Sequence, residues 1–337
     1  MPALREEIGR RFNQKNAGIT PDQVMITNGS LQALTLIAQS AMENRPGVIC
    51  ETPCFQGIVN SFAAMGHWVE TVQRDAEGPR MEELQRLAGS KPQILYLCPY
   101  AHNPTGIDLS HRRAEEIVDW AKETGSLVIA DEIFRDIRYA DPHPPSLLEM
   151  LGSGQTIVVS SLSKSVASGL RIGWLISSPK RVSALTELKR LMDHSAPPLL
   201  QGVALALFTS GAYDAHVQQV RATYQRRMDT LVAALDRQMP EGVTWSRPVG
   251  GFSILLKLPR GYSSVALLLS AIDKGVSFLP GPLFDIDQRY VNAMRLSVAW
   301  SNRRELKEGV ELLASAIGDF IQQPPGDSGL SGLGNYQ

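Results

Sequence analysis

The side chains in this sequence that could act together on a small molecule are a lysine, an arginine, an aspartate, an asparagine and a set of hydroxyls, each lying in or beside a turn. Ser160-Ser161-Leu162-Ser163-Lys164 follows an apolar run, and Arg171 comes shortly after in Gly169-Leu170-Arg171-Ile172-Gly173. This grouping supplies an amine and several anion ligands in one place, although the plainer reading is a polar loop ending in a solvated lysine. Thr27-Asn28-Gly29-Ser30-Leu31-Gln32 is a glycine turn feeding a helix. The free N–H groups and positive dipole end at such a start suit a phosphate, while Asn-Gly-Ser alone is more often only a turn and cap. Asp131 ends the strand-like Ile129-Ala130-Asp131, where a capping carboxylate is the common explanation. Pro99 to Gly106 (PYAHNPTG) carries Asn103 in a stretch of plain turn chemistry.

The elements that must position these groups follow from the pattern of apolar residues. Ser30 to Glu43 reads as a helix, as do Phe55 to Met65, Met81 to Leu87 and Arg112 to Glu123; Val48 to Cys50, His67 to Val72, Ile94 to Cys98, Leu127 to Ala130, Ile157 to Val159 and Ile172 to Ile176 read as strands. Short apolar strands alternating with helices of this length predict an α/β domain with a mostly parallel sheet covered by helices. All four clusters then fall at strand ends or strand-to-helix turns, where open α/β sheets bind ligands. After Pro179 the pattern changes to long helices, Arg181 to Asp193 and Leu199 to Arg237, interrupted at Ala196-Pro197-Pro198 and Gly211. Strand-like Phe252 to Leu258, Val276 to Phe278 and Met294 to Val298, with helical Val265 to Lys274 and Arg303 to Ile321, predict a smaller C-terminal α+β domain. The expected division is 1–200 for the large domain, 201–322 for the small one and 323–337 for a flexible Gly/Pro/Ser-rich tail.

Composition excludes several classes of function. The 337 residues are 43% hydrophobic and 20% charged, as in an ordinary globular chain, and 33 basic against 34 acidic residues leave a net charge of −1. No global field recruits nucleic acid or an anionic membrane surface, so any ligand is held by a local site. The 3 cysteines, Cys50, Cys54 and Cys98, form no disulfide framework, and no second Cys or His pair supports a metal. The start lacks a signal-peptide core and no apolar run approaches the ~18 residues of a membrane span, so the cytoplasm is the expected compartment.

Taken together the clusters are far more specific than singly. A phosphate cradle, a strand-end lysine, a strand-end aspartate and an asparagine on a fixed turn are the parts needed to hold pyridoxal 5′-phosphate. With these motifs in this order from Leu4 to Ile321, the chain resembles the fold-type I pyridoxal-phosphate-dependent aminotransferases of class I/II, close to the aminotransferase domain of MocR-type regulators. The resemblance implies a three-layer transferase fold, a homodimer with shared active sites, and a Schiff base between the cofactor and Lys164 of SLSK. It further implies that Gly29, Ser30, Leu31, Ser161, Ser163 and Arg171 surround the cofactor phosphate, that Asp131 pairs with the pyridine nitrogen, and that Asn103 bonds the ring 3-oxygen and borders the substrate. Phe55 of ETPCF would stack on the ring, and Arg295 of MRLSVA would take the substrate carboxylate through a bidentate fork. PVGGF (Pro248 to Phe252) and PGPLF (Pro280 to Phe284) match small-domain landmarks. The implied reaction moves an amino group between an α-amino acid and a 2-oxo acid. The alternatives are a biosynthetic lyase, cyclase or oxidase using the same cofactor and, as a non-enzyme, an effector-binding module of a transcriptional regulator.

Two features depart from the family pattern. Relatives place a tyrosine two or three residues beyond the ring aspartate, where this chain has Ile133 and Phe134, which puts Phe134 at the cofactor without a hydroxyl to offer. Relatives also carry a further segment ahead of the one that matches Leu4-Arg5-Glu6-Glu7, so the sequence is expected to lack the usual N-terminal cover of the site.

Overall fold

The computed structural model describes residues 1–13, 18–41, 46–89, 92–322 and 324. The predicted tail, 323–337, lies outside these apart from Pro324. Contacts divide the chain into two compact units, with Met1–His102, Ile107–Ala222 and Val249–Gly251 in the first, and Asn103–Gly106, Thr223–Pro248 and the chain from Phe252 in the second.

In the first unit, α1 (Pro2–Asn13), β1 (Val24–Thr27), α2 (Ser30–Ser40), β2 (Gly47–Thr52), α3 (Gln56–Ala64), β3 (Val69–Gln73), α4 (Met81–Ala88), β4 (Gln93–Leu97), α5 (His111–Thr124) and β5 (Leu127–Asp131) follow one another. They continue with α6 (Leu147–Leu151), β6 (Thr156–Ser161), β7 (Gly173–Ile176), α7 (Pro179–Asp193), α8 (Pro198–Thr209) and the start of α9 (Ala212–Gln238). The sheet is 7-stranded with order β1-β7-β6-β5-β4-β2-β3, and its β2, β3, β4, β5 and β6 are parallel. Only β7 is reversed, antiparallel to both β1 and β6.

Successive strand residues point to opposite faces, and here both faces are apolar because both are covered. Leu95, Leu97, Val128, Ala130 and Val158 join one cluster with α1, α5, α6 and α8. Ile94, Tyr96, Ile129, Ile157 and Val159 join the opposite cluster with α2, α3 and α7. The alternation expected from the sequence is therefore present, and the fold is that of a mostly parallel, helix-covered α/β sheet. A strand the reading did not single out, β1, owes its place to pairing with β7.

The second unit carries the remainder of α9, then β8 (Thr244–Trp245), β9 (Ser253–Lys257), α10 (Ser264–Asp273), β10 (Leu279–Pro280), β11 (Ala293–Ser297) and α11 (Arg303–Ile321). Its 4-stranded antiparallel sheet runs β10-β11-β9-β8. One strand moves from its predicted place, since 276–278 is irregular and pairing begins only at Leu279. Gly275 at φ +87° ends α10, and Pro280, with no N–H to give, limits the ladder to two residues. The long helical stretch after Leu199 breaks where the sequence suggested, with Gly211 at φ +76° between α8 and α9. Among the described residues no helix is long and apolar enough to cross a membrane, and no group of three or more His, Cys, Asp or Glu could hold a metal.

Candidate active site

A single row across three strands assembles one part of the site in the first unit. Thr27 at the end of β1 lies opposite Gly173 of β7, and Gly173 lies opposite Ser161 of β6. The backbone leaves β1 through Asn28 and Gly29, which at φ +85° is the N-cap of α2 and offers no side chain to its free N–H groups. Glycine is needed at Gly173 because backbone crowds it, and at Gly29 because of its positive φ. A Cβ on Gly173 would stand 2.6 Å from the Gly29 carbonyl carbon, and one on Gly29 would stand 2.5 Å from Arg171 Nη2.

Arg171, itself at φ +50°, donates Nη2 to the Asn28 carbonyl at 2.8 Å. A guanidinium is thus held beside the positive end of a helix, an arrangement of like charges that an anion resolves. Beside it, Ser161 and Ser163 pair their hydroxyls at 2.8 Å, the Ser163 N–H donates to Ser161 Oγ, and Ser161 Oγ donates to the Ile172 carbonyl. Lys164 lies in the turn that follows, exposed on this unit.

Asp131 closes β5 and is only 5% exposed. Burial pushes its carboxyl up to about 6; the Tyr96 hydroxyl, the Ile133 N–H and the charge of Lys164 pull the other way. Tyr96 donates to Oδ2 at 2.9 Å and Ile133 N–H to Oδ1 at 3.2 Å. Phe134, three residues on, is buried. Leu31 at the start of α2 and Phe55 at the start of α3 both keep exposed side chains.

A second buried cluster was not anticipated. Glu51 of β2 accepts from the Cys98 N–H, with Arg74 Nε at 3.6 Å and His102 Nε2 at 3.5 Å. Burial pushes Glu51 up to about 7 and holds His102 uncharged, the latter aided by the neighbouring Arg74 charge. Its members come from separate segments, so no local sequence signal marks it.

In the second unit, Arg295 sits in the middle of β11, opposite Leu255 and Leu279. Its Nη1 donates to Asn103 Oδ1 at 3.2 Å, and its Cζ lies 5.2 Å from the Phe284 ring centroid. Its Nε is buried with no hydrogen-bond partner among the described residues, and no carboxylate there lies within ion-pair distance. Burial lowers its pKa, as expected for a cation without a counter-charge. Asn103 owes its turn to Gly106 at φ +70°, where a Cβ would meet Pro248 at 2.5 Å and the Ser253 carbonyl at 2.8 Å. The structure therefore brings Asn103 and Arg295 together, and separately gathers Gly29, Arg171, Ser161 and Ser163. Tyr96, inside the predicted strand Ile94 to Cys98, is the partner the structure adds to Asp131.

A mostly parallel, helix-covered sheet with a guanidinium held at a helix start, a lysine in a turn after the sixth strand and a buried strand-end carboxylate has the form of a pyridoxal-phosphate transferase. The chain belongs to the aminotransferase class I and II family, whose sequence model matches residues 1–313. It is 31% identical over 312 residues to a 2-aminoadipate transaminase of Thermus thermophilus, covering 91% of this chain and 78% of that one. It is also 31% identical over 322 residues to an uncharacterized HTH-type transcriptional regulator, YdfD, of Bacillus subtilis, covering 95% of this chain but just under two thirds, 66%, of the regulator. Among solved structures, the α-aminoadipate aminotransferase LysN of Thermus thermophilus, complexed with N-(5′-phosphopyridoxyl)-L-leucine, superposes with a TM-score of 0.89 at 29% identity, over 96% of this chain and 82% of that one. The activity class is that of a pyridoxal-phosphate-dependent aminotransferase and the cofactor is pyridoxal 5′-phosphate. The donor set fits that group: the start of α2 offers N–H groups with no side-chain cap beside the Arg171 guanidinium, with the Asp193 carboxylate accepting from the Asn28 and Gln32 side chains, and Asp131 is a buried acceptor at a strand end.

Proposed function

We propose that the protein moves an amino group between an α-amino acid and a 2-oxo acid, with Lys164 as the residue that holds the cofactor covalently. When bound, the cofactor supplies an electron sink for the charge left on the substrate α-carbon. Gly29, Ser30 and Leu31 at the start of α2, with Ser161, Ser163 and Arg171, hold its phosphate. Asp131 presents a carboxylate to the pyridine nitrogen, Asn103 bonds the 3-oxygen, and Phe55 and Phe134 border the ring. Lys164 Nζ, released when substrate arrives, takes the proton from the α-carbon. Arg295 holds the substrate carboxylate; its buried, unpaired Nε and the lack of a counter-carboxylate among the described residues support this assignment. The observation that carries the reading is the row Thr27–Gly173–Ser161, which brings the end of β1, just before α2, into register with the end of the strand that leads to Lys164.

The reading extends to a cytoplasmic homodimer with shared active sites. Three buried free cysteines and the exposed apolar side chains at the end of α7 and on α8 support it. Similarity to a 2-aminoadipate transaminase supports including that amino acid in a substrate panel.

The test is to load the purified protein with pyridoxal 5′-phosphate, add single amino acids and follow conversion to the pyridoxamine form. Conversion with at least one amino acid, reversed by a 2-oxo acid, is expected. Lys164→Ala should lose both the visible absorbance of the lysine-bound cofactor and the conversion. Ammonia release without the pyridoxamine form would instead assign a lyase or oxidase, and no response to any amino acid would assign an effector-binding module.

A further inference from the structure

Tyr96 occupies an unusual place for a core tyrosine. It is 1% exposed, its ring packed in the cluster that contains Ile94, Ile129, Ile157 and Val159. Tyr96 pairs in register with Ile129 on the neighbouring strand. Asp131, two residues beyond Ile129, points to the same face and is the diagonal neighbour of Tyr96. The hydroxyl therefore reaches the carboxylate, at 2.9 Å from Oδ2, while Oδ1 is taken by the Ile133 N–H. Burial and the neighbouring Asp131 charge push the Tyr96 phenol well above its usual value, so it stays protonated and acts as the donor.

We propose that Tyr96 is a positioning residue for the cofactor, fixing Asp131 in orientation and in its ionised form so that an anion meets the pyridine nitrogen. This rests on the reading that Asp131 faces that nitrogen. Asp131 is too deeply buried to stay charged unaided, and the groups around it oppose one another. Lys164, from the turn after β6, and Tyr96, from β4, favour the anion, whereas Glu51 of β2 carries like charge toward it; the buried thiols Cys54 and Cys98 face Tyr96. The phenol is thus a neutral donor doing for the ring aspartate what solvent cannot, in a chain whose Ile133 and Phe134 bring no hydroxyl.

Tyr96→Phe keeps the ring and removes the donor. In the apoprotein, the carboxyl infrared band of Asp131, assigned by its disappearance in Asp131→Asn, should titrate about one pH unit higher in Tyr96→Phe, a roughly tenfold change in the ratio of neutral to ionised carboxyl. In the loaded protein, Tyr96→Phe should weaken cofactor affinity at pH 7 several-fold, with no further loss in the Asp131→Asn background. An unmoved infrared midpoint, or an equal loss of affinity in both backgrounds, would overturn the proposal and leave Tyr96 a packing residue. Should Tyr96→Phe not fold, replacing tyrosine by 3-fluorotyrosine in the otherwise unaltered protein gives a stronger donor and must move the Asp131 midpoint downward; no movement overturns the proposal equally. If Asp131→Asn binds the cofactor as tightly as the parent protein, the ring-nitrogen reading fails instead, while the infrared shift still reports on the Tyr96 pair.

Discussion

Asp131, which we propose meets the cofactor ring, is where the requirements of folding and of that role conflict within one residue. Its carboxyl, raised to about 6 by burial, binds a proton more tightly in the folded apoprotein than in the unfolded chain. Its contribution to stability is therefore present below pH 4 and lost as the pH rises through about 6. Above that window the buried charge costs on the order of 2–3 kcal/mol. Asp131→Asn is accordingly expected to raise the apoprotein's melting temperature at pH 8 and to have little effect at pH 4. A melting temperature at pH 8 equal to or below that of the parent protein would show that the carboxylate is solvated or paired well enough to cost nothing. The same substitution should weaken the hold on the cofactor, as is common where a site stores strain that a ligand relieves.

At the scale of elements, the site depends on how closely β7 approaches the start of α2. Gly173→Ala would set a methyl 2.6 Å from the Gly29 carbonyl carbon and 2.9 Å from the Ser30 nitrogen, backbone atoms that cannot turn aside. Overpacking of this kind costs about 1–3 kcal/mol, and here the strain falls on the anion seat itself. The variant should melt earlier and bind pyridoxal 5′-phosphate at least tenfold more weakly in a spectroscopic titration; unchanged melting and affinity would show that the two segments have room to part.

Much of this arrangement is legible in the sequence. Asn28-Gly29-Ser30, Asp131 and Lys164 are polar residues abruptly following apolar runs, and β2, β4, β5 and β6 are runs buried on both faces. What is not legible depends on distant partners. Val24–Thr27 becomes a strand because β7 lies beside it, and Val276 to Phe278 fails to become one because Gly275 and Pro280 bracket it. Tyr96 sits inside an apolar ILYL run, and only the register with Ile129 shows that its hydroxyl meets a carboxylate. Glu51, Arg74 and His102 likewise show their association only once the strands are ordered.

For the whole molecule, the end of α7 and the adjoining α8 leave Leu191 85% and Leu199 79% exposed, with Met192 and Val203 also open. Apolar side chains of this size, grouped along one stretch of chain, are the surface that the partner would cover in the homodimer we propose. Sedimentation should accordingly give twice the 36.9 kDa chain mass, and Leu199→Glu should shift the species toward the single chain as the protein is diluted. A parent protein that sediments as one chain at every concentration would remove the shared-site part of the reading.

The reversed strand β7 also orders events in time. The seat we propose for the phosphate draws on the turn after β1, near the start of the sequence, and on Arg171 before β7, far along it, and the chain between them supplies most of the sheet. A contact of such long sequence separation forms late, after the closure of the intervening loop has been offset by other contacts. A nascent chain that has not yet emerged beyond Ile176 cannot grip pyridoxal 5′-phosphate through this seat. Capture of the cofactor thus serves as a clock for completion of the first unit's sheet, readable as the moment in refolding when visible absorbance appears.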